Sequence, residues 1–284
     1  MTIRFDRQRL TRAFMLLLVL VLAGVFVAPL YWMLTGSFKK MASTMKVPPD
    51  LIPLQPTLGN YAFLFNGTFP VLKWLLNSFA VSALSTLFCI LVCTMMGYAF
   101  AKKDFPLKNT LFFTILISMM LPKQASLIPL FMTVKSMGMM NHLMGAVVPL
   151  IVWPYGIFMM RQFIGTIPGD LLESARIDGA SEIAIFRKVV LPLAKPAVAA
   201  LGVIFFLTAW NDFMWQLIVL KDVGKWTFNI GISVISRNPV ANSPVINYGL
   251  AMAGGTLGAL PVVALFIFLQ KYFVTGLTMG AVKE

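Results

Sequence analysis

The 284-residue sequence has little of what conventional enzyme chemistry uses. It holds a single histidine, His142, and two cysteines, Cys89 and Cys93, four apart in an apolar run. One histidine removes multi-histidine metal sites and most histidine-based acid–base pairs. Two cysteines on one helix face read as small hydrophobes, because a disulfide framework or a zinc site needs more ligands at other spacings. The sequence has no G-x-x-x-x-G-K-[ST] phosphate loop, so the chain itself is not expected to hold ATP. No catalytic residue, metal site or bound cofactor is assigned. Charge is scarce too: Asp, Glu, Lys and Arg make up 12% of the chain, against about a quarter in a soluble domain.

What is present is apolar surface. Hydrophobic residues make up 59% of the sequence and the mean hydropathy is +0.85. Such a surplus must face a bilayer rather than water. The net charge of +13 is spread between the apolar runs, which fits membrane-flanking loops and argues against a nucleic-acid partner.

Six segments are long and apolar enough to cross a core that takes about 20 helical residues. They are 13–34, 75–101, 110–134, 143–160, 197–220 and 249–270, giving an all-α, polytopic membrane protein over 1–284. The first follows four arginines like a signal peptide, yet its 22-residue length and five further spans predict a retained helix. The inner loops would hold 14 Lys and Arg and the outer loops 8. That bias puts both termini in the cytoplasm. Pro122, Pro129, Pro149, Pro154 and Pro261 predict bent spans, because proline removes a backbone donor. Lys123 and Gln124 beside the first of these either snorkel at a kink or line a polar path.

The inner loop 161–196 changes pattern. Pro168 and Asp170 start a short helix with Leu171, Leu172 and Ala175 on one face. Asp178-Gly179 marks a turn in which glycine supplies a positive φ. Ser181 can cap a second helix carrying Ile183, Phe186 and Val190, with Leu191-Pro192 as its expected end. Two short amphipathic helices projecting from the membrane suit a cytoplasmic partner.

Glu173-Ser174-Ala175-x3-Gly179-x9-Val189-x-Leu191-Pro192 resembles the EAA loop of ABC-importer permeases, with Ser174 in place of an alanine and Val189 in place of isoleucine. The run 120–131, Trp210-Asn211-Asp212 and Gly276-Leu277-Thr278-x-Gly280 are similar to carbohydrate-uptake permeases. The shorter subunit of maltose-type and glycerol-3-phosphate-type importers is the nearest pattern. The resemblance spans almost the whole chain. It implies a type I ABC-importer permease fold in a bacterial plasma membrane and a transport subunit, not an enzyme. It also implies a second, different permease, two copies of an ATP-binding subunit that carry the ATP and magnesium, and an extracytoplasmic solute-binding protein, all around a lipid-embedded core.

The resemblance assigns ATPase coupling to Glu173, Ser174, Ala175, Asp178, Gly179, Ala180, Phe186, Leu191 and Pro192. Glu173 would pair with a base of the ATPase. In the outer loop 221–248 the turn carrying Arg237, Asn238, Pro239, Asn242 and Pro244 would reach the binding protein. Gln124, Trp210, Asn211 and Asp212 are candidates for the solute path or gate, with Asp212 alternatively joining two helices. An ABC permease for a non-sugar solute is the alternative reading, and a secondary transporter or channel a more distant one.

Overall fold

A computed structural model of the chain describes residues 7–237 and 246–281, with side chains over 11–237 and 246–268. Among the described residues the chain is helical, with no strand. In order the α-helices are α1 (Arg7–Ser37), α2 (Met41–Thr44), α3 (Gly59–Phe65), α4 (Val71–Lys102), α5 (Lys108–Ser118) and α6 (Leu127–Ser136). They continue with α7 (Leu143–Val147), α8 (Pro154–Gly165), α9 (Gly169–Ile177), α10 (Glu182–Ile185) and α11 (Leu191–Leu193). The last four are α12 (Lys195–Trp210), α13 (Met214–Val219), α14 (Phe228–Arg237) and α15 (Tyr248–Ala281).

Three helices, in α1, α4 and α15, are individually long and apolar enough to cross a membrane. Three further candidates are broken helix pairs, which brings the number to as many as six. The segment 110–134, expected to bend at Pro122, is two helical pieces at 103° with Pro122 in the break. The pair around 151–153 bends by 44°, and α12 meets the helical run before it at 77°. Proline and irregular backbone at these joints release carbonyls that neighbouring protein must satisfy. The expected fifth span stops at Trp210, and a separate short helix, α13, follows.

The chain forms two units. One comprises residues 1–69 and 232–259. In it the Asn60 side chain donates to the carbonyls of Ser37 and Lys39 at 2.8 and 2.9 Å, and the Tyr61 hydroxyl donates to Ser37 Oγ at 2.8 Å. These bonds fasten α3 to the end of α1. Most of α1 exposes Leu, Val and Phe all round, as a lipid-facing helix does.

The other unit, 70–231 and 260–284, is built on α4, which packs along both α8 and α12. Small residues make this approach possible. A Cβ at Gly97 would lie 2.6 Å from Met160 Cβ and 2.9 Å from the Arg161 nitrogen, and one at Gly156 would lie 2.9 Å from Cys93 Sγ. Cys93, Ile157, Met160, Leu201 and Phe205 fill the seam, in keeping with close packing through small residues in membranes. Gly97→Ala should therefore destabilise the chain by about 1–3 kcal/mol through overpacking, seen as a lower thermal midpoint in detergent. An unchanged midpoint would mean the two helices do not approach this closely.

Candidate functional site

The loop 161–196 is seated on the end of α4. Its first helix begins where proline fixes the backbone: Pro168 caps α9 and Asp170 lies in the first turn, opposite the positive end of the peptide dipoles. Asp178, Gly179 and Ala180 then donate to the carbonyls of Ser174, Arg176 and Ala175 at 3.0 Å each. That closure requires the left-handed φ of +77° at Gly179. Ser181 Oγ accepts from the Ala184 nitrogen at 3.3 Å and caps α10.

The second helical run ends at Leu193, one residue beyond the expected Leu191-Pro192. After α10 the backbone widens into a π turn over Phe186–Val190 and continues through α11, with Pro192 in its first turn. A wide turn departs from the i→i−4 ladder, so a residue lacking an N–H fits directly after it.

The two faces of the loop have opposite characters. Leu172 (2% exposed), Ile185, Val190 and Ala194 are buried with Ile164 and Ile167 in the α4 seam. Phe186 is half-buried, its ring 5.7 Å from that of Tyr98. Outward stand Glu173, Leu171, Ile177 (86% exposed) and Ile183 (72% exposed). Leu172 and, in part, Phe186 pack against the α4 cluster and anchor the loop. Among the described residues Glu173 pairs with no base. Ser174, Asp178, Gly179 and Pro192 are exposed, while Ala175, Ala180 and Leu191 are half-buried.

Glu182 is a site residue that sequence reasoning missed. Its carboxylate accepts from Tyr98 Oη at 2.9 Å and Arg176 Nε at 3.2 Å, and pairs with Lys103. The Lys103 ammonium beside it holds the Glu182 carboxyl below the usual carboxylate range. A lowered value means this contribution is complete above the ordinary range and lost only as pH falls through the lowered one. Glu182 therefore keeps its charge, and with it these contacts, across neutral pH. No local pattern marks such a contact, because Tyr98 and Glu182 are 84 residues apart.

A second feature is an open, largely apolar cleft of about 580 Å³, lined by Ile204, Leu207, Phe213 and Met214 together with Lys123, Thr208, Asn211 and Asp212. Asp212 Oδ1 accepts from the Trp215 nitrogen at 3.3 Å, fastening the start of α13 while the residue faces the cleft. Two of the four expected path residues, Asn211 and Asp212, line this cleft. Gln124 is exposed on the Lys123–Ser126 turn but is not a wall of it. Trp210 is excluded by packing: it is 3% exposed, stacked on Phe206 at 5.9 Å, and its carbonyl accepts from Asn229 Nδ2 at 2.8 Å.

The segment 221–248 is pinned at its start. Trp74 Nε1 donates to the Val223 carbonyl at 2.6 Å, and Asn77 Nδ2 to those of Gly224 and Trp226 at 3.2 and 2.9 Å. Arg237 ends α14. Asn238, Pro239, Asn242 and Pro244 lie outside the described residues, as does the structure of their expected turn.

Residues 90–279 match the model of the binding-protein-dependent transport system inner membrane component. The chain belongs to this family. It is 36% identical to the arabinooligosaccharides transport system permease protein AraQ of Bacillus subtilis (strain 168), over 94% of each chain. It is 34% identical to the sn-glycerol-3-phosphate transport system permease protein UgpE of Pectobacterium atrosepticum, over 92% of this chain and 93% of the relative. Its fold is that of a chain in the crystal structure of a bacterial ABC transporter involved in the import of the acidic polysaccharide alginate. That match has a TM-score of 0.82 at 20% identity and covers 96% of this chain and 100% of the other. The permease-family expectation thus holds, and with it the reading of the chain as a transport subunit.

Proposed function

We propose that this chain is one of two different permease subunits in an ABC importer that carries a carbohydrate across the bacterial plasma membrane. The sugar and polyol phosphate named for its relatives support that solute class. The observation that carries the mechanism is the two-faced loop: a buried base on α4 and an outward surface of Glu173, Ile177 and Ile183. Such a surface takes a partner with an apolar hollow and a base. Two ATP-binding subunits, which hold ATP and magnesium, supply that partner. Nucleotide-driven closure draws the loops together and turns the spans outward.

In this reading the six spans are the three long helices, the two broken pairs around Pro122 and 151–153, and α12 without the helical run before it, with both termini cytoplasmic. Asn211 and Asp212 line part of the solute path, their amide and carboxylate suited to sugar hydroxyls. The turn carrying Arg237, Asn238, Pro239, Asn242 and Pro244 meets a solute-binding protein on the outer side. A photo-activatable residue at Ile177 should capture the ATP-binding subunit in membranes, whereas one at lipid-facing Leu91 should not. Capture from Leu91 alone would overturn the assignment.

A further inference from the structure

The contact between the loop and α4 has two physically different parts. Leu172, Ile185 and Val190 form a buried apolar seat. Apolar contact is non-directional, so it holds the loop down without fixing its angle. The second part is Glu182. Its two carboxylate oxygens collect Tyr98 Oη at 2.9 Å, Arg176 Nε at 3.2 Å and the Lys103 ammonium. Tyr98 lies in the last turns of α4 and Lys103 caps its end, while Arg176 is in the last turn of α9 and Glu182 opens α10. One carboxylate therefore joins both short helices of the loop to the spine of the membrane unit. The Lys103 ammonium also sits 5.6 Å over the Tyr98 ring, and that ring packs on Phe186.

The groups are too exposed to matter much for stability. The Glu182 side chain is 50% exposed and that of Lys103 29%, and exposed ion pairs add little to folding. Charge-assisted bonds are nevertheless strict about geometry. A cluster that adds little stability but fixes the orientation of three helices suits the passage of movement.

We propose that Glu182 is the positioning residue through which movement of the outward loop surface is passed to α4. It touches neither the ATP-binding subunit nor solute, and acts by keeping α9 and α10 at a fixed angle to α4. This inference rests on the coupling reading of the loop given above.

The test uses the complete importer in proteoliposomes, with three quantities read on each sample: ATP-binding subunit retained, ATP hydrolysed and solute taken up. Glu182→Ala should retain the ATP-binding subunit and its hydrolysis, while uptake per ATP falls about fivefold, the low end of ordinary coupling energies. Tyr98→Phe, which removes one 2.9 Å bond and no charge, should give a smaller fall in the same ratio. Glu182→Asp, which keeps the charge, should recover most of it. An unchanged ratio in Glu182→Ala would overturn the proposal. So would loss of all three quantities in proportion, since that is the mark of a residue needed only to fold the loop or to touch the ATPase. Glu173→Ala is run in parallel: wild-type subunit retention and uptake there would sink the coupling reading itself, whatever Glu182 does.

Discussion

Replacing Glu173 by alanine should weaken docking of the ATP-binding subunit by about 1.5–3 kcal/mol, or roughly 10- to 100-fold in affinity. The size follows from the placement of the side chain. Glu173 is exposed on α9 and pairs with no base among the described residues, so removing it leaves the fold of this chain intact. Its carboxylate is free to form a charge-assisted bond with a partner, which is stronger than a neutral one. Affinity purification from membranes should recover permease with little ATPase attached. Thermal unfolding of the permease alone should be unchanged, which separates a lost contact from a misfolded loop.

Gly179→Val should do comparable harm by another route. A Cβ at Gly179 would meet nothing within 4 Å, so the space is open and the obstacle is the backbone φ of +77°. A β-branched residue resists that conformation at a cost of about 1–3 kcal/mol. The turn would relax by breaking the bonds from Gly179 and Ala180 to the carbonyls of Arg176 and Ala175, and α10 would swing relative to α9. Uptake should fall about 5- to 150-fold, since about 1.4 kcal/mol of strain shifts an equilibrium tenfold. Gly179→Asn is the control, because asparagine tolerates the left-handed region. It should retain most of the uptake. Equal loss in both variants would point to side-chain bulk at the partner surface rather than to the turn.

How much of this was legible in the sequence depends on distance along the chain. Apolar runs and punctuation are local signals: Pro168, Gly179 and Ser181 act as their chemistry predicts. Proline marked the broken segments, but the angles of 103° and 77° are set by what the pieces pack against. The failures share one cause. Leu171 and Leu172 are equally apolar, and periodicity alone does not choose which turns inward; the α4 seam buries Leu172 and leaves Leu171 exposed. Trp210 looked like a path residue beside Asn211 and Asp212, yet its ring stacks within the core on Phe206. No local pattern singles out Glu182, and only the folded chain brings Tyr98 and Lys103 to it.

The central claim is that this chain moves a carbohydrate only when a separate ATPase drives it through the loop. Its most direct test is uptake of labelled oligosaccharide by proteoliposomes holding both permeases, the ATP-binding subunits and the binding protein, with and without enclosed ATP. Uptake should require ATP and be abolished when this chain or the ATP-binding subunit is left out. Sustained uptake without the ATPase, driven by an ion gradient or by the solute gradient alone, would contradict it.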